Sequence, residues 1–441
     1  MASELLTPTD ATWDAERGAF NALIDQRPAG IALPESAEEV AAVVRAAAAD
    51  GKRVAAQRTG HAAAPMGDLG DTVLLRTTGL GGVEVDADAR RARVGAGALW
   101  GDVVPAASEQ GLAALHGSTP TVSVSGYTLG GGVSFYGRKH GLACNRLTAV
   151  ELVTADGEQR RVDADNDPDL FWALRGGSGS FGVATALEFE LLELPEVYAG
   201  VLFFPAERAS EVLHAWREWA ATAPEEVTSV GRLMNFPPLP EVPEPFRGQS
   251  FAVIETIFAG PESEAGDLLA PLRALGPIMD TVAAGPPASI TELHMDPPDP
   301  APFMGEGVMT GELPAAAIDA LVEAVGPGSG SQLVSAEVRH CGGALGRPAE
   351  NGGALAKLPG EFLAFAVGVA PVPEAVEPTK AWLGAFSAAL APYASGHYLN
   401  FCEKQFDLAA AFPVETLERL RAVKSQYDPE NLFRASHPVT S

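Results

Sequence analysis

Residues 116–142 read HGSTPTVSVSGYTLGGGVSFYGRKHGL and form the most glycine-rich segment of the chain. Gly130, Gly131 and Gly132 stand there among small and hydroxyl-bearing residues. Because glycine lacks a side chain, backbone N–H groups in such a segment can approach a phosphate or a flat ring closely. Taken alone, the composition favours a glycine-rich structural turn, and it points to a binding site only in combination with other segments.

Size and charge narrow the class of protein. The 441 residues favour two or three domains, and 46% hydrophobic residues without a long apolar run indicate a soluble globular chain. A formal net charge of -27 would repel nucleic acid and anionic lipid, so neither is expected as a partner. The N-terminal stretch lacks the basic and apolar regions of a signal peptide, which predicts a cytoplasmic protein.

Cysteine and histidine spacing predicts no metal site. Cys144, Cys341 and Cys402 lie far apart without a C-x-x-C pair, so we expect free thiols. The eight histidines form no H-E-x-x-H or similar ligand spacing.

Upstream of the glycine segment, a helix and two strands flank a loop that contains His61. Ser36 and Glu39 form a capping-box pattern, and apolar residues then recur on one helical face until Gly51. KRVAAQ (52–57) and TVLLRTTGL (72–80) read as short strands. The loop between them places His61 in an apparent turn.

Two predicted hairpins, further helices and a strand follow between residues 83 and 191. Residues 83–98 and 148–163 each predict a hairpin, the second around an Asp-Gly turn, and a helix is expected from about 100 to 110. PDLFWALR is helical in pattern, and VATALEFEL (183–191) alternates like a half-buried strand.

GSGSFG at 177–182 satisfies the dinucleotide pattern G-x-G-x-x-G. That fingerprint must follow a strand and open a helix, whereas here it follows a helix and precedes a strand. The sequence therefore predicts a tight helix-to-strand turn rather than a nicotinamide site.

The sequence pattern changes from about Leu194 onward. Proline-rich loops at 237–245 and 295–303 separate strands at 250–260, 332–340 and 361–369 from helices. The expected helices are AERASEVLHAWREWAA (206–221) and AAAIDALVEAVG (315–326). This pattern predicts an α+β domain with an antiparallel sheet and helices on one face.

Taken together, six segments resemble bacterial berberine-bridge-enzyme-like oxidases, which belong to the vanillyl-alcohol-oxidase and p-cresol-methylhydroxylase (PCMH) superfamily of flavoproteins. The segments are QRTGH (57–61), STPTVSVSGYTLGGG (118–132), YGRKHGLACNRL (136–147), VELVTADGE (150–158), DLFWALRGGSGSFGVAT (169–185) and YLNF (398–401) with LRAVKSQYDPENLFR (420–434). The likeness covers about residues 25 to 192 closely and the last forty-odd residues clearly.

The resemblance implies an α+β, two-domain PCMH-type FAD-binding fold. Residues 1–195 would bind FAD, and residues 196–395 would form the substrate domain, an antiparallel sheet covered by helices. Residues 396–441 would return to the FAD domain.

The same resemblance implies covalently bound FAD. His61 is the expected attachment point, with Arg58, Thr59 and Gly60 supplying the turn, although family members often carry one more glycine where Thr59 stands. Many relatives attach the flavin a second time through a cysteine, where this chain has Thr119, and a hydroxyl does not replace a thiolate nucleophile. We therefore expect a single linkage.

The resemblance also implies further cofactor contacts, at the positions of this chain that match the family's motifs. Val122 stands where a valine leaves room for dioxygen, which favours an oxidase. Ser180 stands where an asparagine is common. The other residues expected to bind the cofactor are Met66, Gly117, Ser118, Gly126, Tyr127, Gly130, Gly131, Gly137, Leu142, Val183 and Asn400.

Tyr398 matches a tyrosine that acts as the catalytic base in several relatives. A phenol with an ordinary pKa of about 10 needs a nearby cation or donor to act as a base at neutral pH, and Arg339 and His340 are candidates. The expected reaction is hydride removal from an alcohol, phenolic or secondary-metabolite substrate to FAD, with dioxygen forming hydrogen peroxide. Oxidative ring closure, a dehydrogenase with another electron acceptor and a flavin-binding protein without turnover are the alternatives.

Overall fold

The computed structural model describes residues 5–240 and 242–441. The first four residues of the predicted N-terminal start, and one residue of the proline-rich loop at 237–245, lie outside the described residues. Within the described ranges, no helix has the length and apolar character needed to cross a bilayer.

The first half of the chain combines two larger sheets and the two-stranded β6–β10 pair with short helices. Its strands are β1 Gly30–Ala32, β2 Arg53–Gln57, β3 Thr72–Arg76, β4 Val83–Asp86, β5 Arg91–Gly95, β6 Leu112–Ala113, β7 Leu147–Val153, β8 Gln159–Asp163, β9 Val183–Glu190 and β10 Leu192–Glu193. Its helices are α1 Trp13–Glu16, α2 Ala37–Ala49, α3 Trp100–Ser108, α4 Val124–Leu129, α5 Gly137–His140 and α6 Pro168–Leu174. Strands β1, β3 and β2 form a parallel sheet, and β4, β5, β9, β7 and β8 form an antiparallel one.

Local signals predicted much of this half correctly. The β4–β5 and β7–β8 hairpins are present, and α2 begins where Ser36 Oγ accepts a hydrogen bond from the backbone N–H of Glu39. The GSGSFG segment forms the predicted turn between α6 and β9, with Ser178 at a φ of 61°.

The prediction that β9 is half-buried with strict alternation was wrong. Ala184 and Ala186 are buried, whereas Thr185 is only partly buried. Since β9 pairs with β5 on one side and β7 on the other, it lies at the centre of the five-stranded sheet. Both of its faces are packed there, so small residues suit the face that the pattern assigned to solvent.

The second half forms a nine-stranded antiparallel sheet with helices on one face, as the sequence predicts. Its strands are β11 Val197–Pro205, β12 Val227–Asn235, β13 Ser250–Phe258, β14 Met279–Asp280, β15 Ala283–Gly285, β16 Phe303–Thr310, β17 Ser335–His340, β18 Phe362–Val369 and β19 Ala394–Gly396. The helices are α7 Ala209–Ala220, α8 Glu262–Ala265, α9 Ala270–Arg273, α10 Ala315–Val325 and α11 Val376–Leu390. The strand order is β14-β11-β13-β12-β17-β18-β16-β19, and β15 also pairs with β11.

The two faces of this sheet have different partners. Trp216 of α7, Leu321 of α10 and Phe386 of α11 share one apolar core with the sheet. On the opposite face, Val230 and Ile257 pack in a core that includes residues of the first half. This arrangement leaves the second face of the sheet turned toward the first half of the chain.

The C-terminal residues return to the first half of the chain. Helix α12, Val414–Tyr427, is anchored by Lys424, whose Nζ donates to the Ser180 carbonyl at 2.6 Å and contacts Asp428 at 2.5 Å. Beyond it, the N–H of Arg434 donates to the carbonyl of Val54 in β2. The segment from Tyr398 onward is therefore held against the region of the predicted cofactor loop.

Candidate active site

The loop before His61 is a tight turn held by contacts to distant parts of the chain. Gly60 has a φ of 79°, and a Cβ there would lie 2.8 Å from Ala19 Cα, so this position requires glycine. The Nε of Arg58 donates to the carbonyl of Gly97 at 2.7 Å. The guanidinium thus fixes the turn to the segment that follows β5.

His61 is oriented from two sides. Its ring stacks on Phe20 with a centroid separation of 3.9 Å, and its Nδ1 lies 2.8 Å from Thr59 Oγ1. Burial lowers the pKa of His61 to about 4, so the imidazole is neutral at physiological pH. With Nδ1 engaged, Nε2 has no hydrogen-bond partner among the described residues. A neutral imidazole with one free nitrogen is suited to act as a nucleophile.

The glycine-rich segment meets the His61 loop at residues 96–97. The Oγ of Ser125 donates to the carbonyl of Ala96 at 3.0 Å, next to the Gly97 carbonyl that Arg58 contacts. Gly126 is exposed, and a Cβ there would have nothing within 4 Å. The structure therefore brings the two predicted cofactor segments together and leaves open space beside Gly126.

Tyr398 lies against the three consecutive glycines. Its hydroxyl accepts a hydrogen bond from the N–H of Gly132 at 2.7 Å and from Asn400 Nδ2 at 3.0 Å. Asn400 Nδ2 also lies 2.9 Å from the carbonyl of Tyr127. Gly131 has a φ of 129°, and a Cβ there would lie 2.8 Å from the Tyr398 ring. Glycine at 131 is thus required both by the backbone and by the approach of the tyrosine.

Two opposing effects set the acidity of Tyr398. Burial raises its pKa well above the ordinary value of a phenol, and the hydrogen bond from Gly132 opposes that rise. The net direction is upward, so Tyr398 is a protonated phenol before substrate binds. Its oxygen already accepts two hydrogen bonds, and the same two donors can stabilise the oxygen after its proton is lost.

The segment that carries Tyr398 also contacts the His61 loop. The residues after Tyr398 reach the loop through Gln405, whose Nε2 donates to the Pro65 carbonyl at 2.8 Å. Phe20, which stacks on His61, also lies 6.5 Å between ring centroids from Phe303 in β16. The same strand passes Phe401, because a Cβ on Gly307 would meet its carbonyl.

The residues on these adjoining segments have features that fit FAD. The Tyr127 hydroxyl is buried, and within the described chain it has no hydrogen-bond partner. Open space at Gly126 and the free Nε2 of His61 lie on segments that the structure brings together. A flat ring system with a polar, phosphate-bearing tail needs this combination of close backbone approach and unpaired polar groups.

Other predicted residues are placed as follows. Met66 is buried, and its carbonyl accepts hydrogen bonds from Arg434. Gly117 lies against the Tyr127 ring, and the Thr119 hydroxyl lies 3.2 Å from the Thr121 hydroxyl. Val122 packs beside the core of the first half, and Leu142 lies within that core. Gly137 lies against Leu345, and Val183 begins β9.

Arg339 and His340 do not contact the Tyr398 hydroxyl. The Arg339 guanidinium carbon lies 5.0 Å from the Phe401 ring centroid, and Phe401 stacks on Tyr398 at 5.8 Å. His340 stacks on Phe362 at 5.2 Å, and burial lowers its pKa to about 3, so it carries no charge to offer. The donors that Tyr398 requires are Gly132 and Asn400 instead.

Sequence reasoning missed a buried charged cluster on the sheet. Arg232, Glu255, His294 and Glu337 surround the inner side of Arg339, and all are almost completely buried. The one signal available was the pair Glu337 and Arg339, whose spacing of two positions in one strand places both on the same face.

Comparisons with known proteins find relatives that are FAD-linked oxidases. Residues 28–163 match the family described as FAD binding domain, and residues 397–440 match berberine and berberine like. The chain is 28% identical to (R)-6-hydroxynicotine oxidase of Paenarthrobacter nicotinovorans, across 100% of this chain and 97% of that protein. It is 35% identical to glucooligosaccharide oxidase of Sarocladium strictum over 49% of this chain and 44% of that protein.

Solved structures share the fold over nearly the whole chain. The structure of 6-hydroxy-D-nicotine oxidase from Arthrobacter nicotinovorans matches with a TM-score of 0.81 and 26% identity, covering 98% of this chain and 97% of that chain. The BBE-like 1 protein of Physcomitrella patens matches with a TM-score of 0.85 at 20% identity, covering 99% and 97%. The α+β fold of FAD-linked oxidases predicted from the sequence is confirmed, and the berberine and berberine like match covers the C-terminal residues 397–440 of this chain.

Proposed function

We propose that Tyr398 is the catalytic base of this oxidase and acts on a hydroxyl or phenol of a small organic substrate. The observation that carries the proposal is the pair of donors on the Tyr398 oxygen, Gly132 N–H at 2.7 Å and Asn400 Nδ2 at 3.0 Å. Such donors lower the cost of a buried phenolate in the way that an oxyanion hole does. Because the resting phenol is protonated, Tyr398 must first lose its own proton. The two donors stabilise the resulting phenolate, which then takes the substrate proton and becomes a hydroxyl again.

FAD supplies the hydride acceptor when it is bound, and residues of the first half would hold it. We propose a single covalent attachment at His61 Nε2, because Thr59 engages the other ring nitrogen and burial keeps the ring neutral. Thr119 occupies the position at which many relatives carry a second attachment cysteine, and its hydroxyl pairs with Thr121. Tyr127 and the open backbone at Gly126 would contact the cofactor's polar groups.

Dioxygen is the proposed terminal acceptor. Val122 is half-buried next to the glycine-rich segment, and its carbonyl accepts the N–H of Trp100, which fixes the backbone at this position. A short side chain held there leaves more room beside the flavin than a leucine would. The relatives named as oxidases act on 6-hydroxynicotine and on oligosaccharides, and both are small molecules with oxidisable carbon centres.

The attachment is tested on purified protein. The sample is expected to be yellow, and the colour should remain with the protein after acid precipitation. His61→Ala should release the flavin into the supernatant. Colour that remains attached to His61→Ala protein would exclude this residue as the linkage.

The role of Tyr398 is tested with a compound library screened for anaerobic bleaching of the flavin absorbance. For a compound that bleaches the wild-type protein, Tyr398→Phe should slow bleaching by about 10²–10⁴-fold, the usual contribution of a positioned base. The flavin content should be unchanged, and air should yield one peroxide per reduced flavin in the wild-type protein. An unchanged bleaching rate in Tyr398→Phe would rule out the assignment.

A further inference from the structure

The loop of residues 286–302, which joins β15 to β16, contacts the first half of the chain at both ends. Near its start, Ala288 N–H donates to Ser108 Oγ at the end of α3 at 3.2 Å. Near its end, Ala301 N–H donates to the Phe20 carbonyl at 3.1 Å. The loop therefore leads from the second half to the residue that stacks on the histidine of the proposed flavin attachment.

Between these ends, His294 joins the loop to the large sheet. It is 2% exposed, whereas residues 296–300 after it are exposed. Its carbonyl accepts from Arg232 Nη1 at 2.7 Å, and its ring lies 6.4 Å between centroids from Phe135 of the first half. Met295, the next residue, has a φ of 58°, a conformation that costs free energy for a residue with a side chain. The contacts of His294 thus hold the loop in a shape that its backbone alone does not favour.

The His294 ring lies between two carboxylates from different strands. Its Nδ1 lies 2.8 Å from Glu255 Oε2 in β13, and its Nε2 lies 2.9 Å from Glu337 Oε2 in β17. An imidazolium donates from both nitrogens and satisfies both carboxylates, whereas a neutral ring carries one N–H and donates to only one. Loss of the ring proton therefore removes one of the two hydrogen bonds from this ring to the sheet.

Two arginines of the sheet share these carboxylates. Arg232 Nη1 contacts Glu255 Oε1 at 2.5 Å, and Arg339 Nε donates to Glu337 Oε1 at 2.6 Å. Each arginine also approaches the ring of His294, with Arg232 Nη1 at 3.1 Å from Nδ1 and Arg339 Nη2 at 2.9 Å from Nε2. A ring nitrogen that loses its proton would face a guanidinium instead of donating to a carboxylate.

The charges of this cluster balance when His294 is protonated. Asp296 of the loop is a third carboxylate that interacts with both arginines. Together with Glu255 and Glu337 it balances the two arginines and a charged His294, so a neutral ring leaves one carboxylate in excess. From the first half the ring meets Phe135, which carries no charge. Because the ring and both glutamates are almost completely buried, a change of one charge has a larger effect here than at the surface.

The surroundings of the ring favour its charged form. Burial and Arg232 oppose a charge there, but the carboxylates of Glu255 and Glu337 outweigh them and raise the pKa of His294 above its ordinary value of 6.5. A group whose pKa is higher in the folded protein stabilises that state fully below its ordinary pKa. This stabilisation is lost as the pH rises past the raised pKa, so the loop should be held most firmly at neutral and lower pH.

We propose that His294 is a pH-sensitive latch, which pins the 286–302 loop to the sheet while its ring is charged and lets the loop loosen when the ring becomes neutral. The strained backbone at Met295 favours loosening once the hydrogen bonds of the ring are weakened. The latch lies outside the groups that hold the Tyr398 oxygen, so it does not depend on the reaction proposed for that residue.

The charge of the ring is measured by nuclear magnetic resonance on flavin-containing protein whose histidines carry carbon-13 at Cε1. The His294 signal is the one that is missing from His294→Gln, and its chemical shift is followed from about pH 5.5 to about pH 10. We expect one titration with a midpoint above 6.5, the ordinary pKa of the ring. A midpoint below this value would overturn the latch, because the ring would then be neutral while the loop is held.

The loop is followed by hydrogen exchange on the same protein and over the same pH range. Exchange of the amides at 288–295 is divided by the intrinsic rate at each pH, and helix α2 serves as the internal reference. Protection of the loop should fall by at least about tenfold across the midpoint, the change that the loss of one charge-assisted hydrogen bond produces. Protection of α2 should stay constant.

Variants separate the charge of the ring from other effects of pH. His294→Gln should show weak protection of the loop at every pH, and Glu255→Gln should move the midpoint to lower pH because it removes one carboxylate that favours the charged ring. His214→Gln is the matched control, since His214 pairs with Asp319 rather than with this cluster and its loss should leave the profile unchanged. If His294→Gln does not fold, the signal whose midpoint moves in Glu255→Gln identifies His294 instead.

Two results would overturn the latch. One is a wild-type loop whose protection stays constant from about pH 6 to about pH 10. The other is a folded His294→Gln or Glu255→Gln protein whose loop keeps the pH profile of the wild-type protein.

Discussion

The hydroxyl of Thr59 is predicted to set the rate at which flavin becomes attached to His61. It lies 2.8 Å from Nδ1, and when it accepts the Nδ1 proton it holds the tautomer whose Nε2 is unprotonated and nucleophilic. Thr59→Val removes this partner and nearly preserves the shape of the side chain. The loop backbone does not depend on the hydroxyl, because the Thr59 carbonyl accepts from Phe20 N–H and Gly60 makes the turn.

The expected change in the attachment rate follows from the contacts that orient the His61 ring. A neutral hydrogen bond contributes about 1 kcal/mol, which corresponds to roughly fivefold in an equilibrium or rate. The stack on Phe20 at 3.9 Å survives the substitution and continues to orient the ring. Attachment is therefore expected to slow by about fivefold rather than to stop.

The assay follows covalent flavin over time. Protein produced under riboflavin starvation is mixed with FAD, and samples are precipitated with acid and scored for protein-bound flavin fluorescence. Thr59→Ser should match the wild-type rate, and Thr119→Val is the matched control because its hydroxyl pairs with Thr121 instead. A Thr59→Val rate equal to that of the wild-type protein, or an equal loss in Thr119→Val, would refute the role of this hydroxyl.

Three further predictions concern stability and pH. Asn400→Leu removes the amide donor shared by the Tyr127 carbonyl and the Tyr398 hydroxyl. It should lower the free energy of unfolding, measured by chemical denaturation, by about 1–3 kcal/mol and slow the bleaching of flavin by substrate. Gly131→Ala should also lower the free energy of unfolding by about 1–3 kcal/mol, because φ is positive at this position and the Tyr398 ring is close. Gly384→Ala, at an open position of α11, should instead raise the free energy of unfolding by as much as about 1 kcal/mol. Burial lowers the pKa of His116 to about 4, so protonation of this residue at low pH favours the unfolded chain. The free energy of unfolding should therefore be about 2 kcal/mol lower at pH 5 than above pH 6.5. Denaturation curves measured at both pH values should show a smaller difference for His116→Asn.

Predictions succeeded where a short segment specifies its own conformation. The hairpin at 148–163 contains its own Asp-Gly turn, and α2 carries its own cap at Ser36. The GSGSFG turn was predictable because element order alone excludes a dinucleotide fingerprint there. Tyr398 and His61 were identified through the family resemblance, since neither residue stands out by spacing.

Features that depend on distant residues were not predictable. The donors on Tyr398 come from Gly132, which is 266 positions away, and from Asn400, which no periodicity singles out. The charged cluster joins strands β12, β13 and β17 with His294 from a proline-rich loop, and only the sheet register brings them together. Phe20, which orients His61, lies in an N-terminal stretch without any pattern.

The hydrogen bonds that hold the Tyr398 oxygen come from outside the large sheet. Gly132 in the first half and Asn400 in the C-terminal segment donate them, so no strand of the large sheet supplies a hydrogen bond to this oxygen within the described residues. The sheet reaches the same region through Arg339, whose guanidinium lies over the Phe401 ring that stacks on Tyr398. Arg339→Gln should therefore leave the Gly132 and Asn400 contacts to Tyr398 in place, together with the flavin bleaching that depends on them. An Arg339→Gln protein that folds and binds flavin but is bleached by none of the compounds that bleach the wild-type protein would contradict this separation.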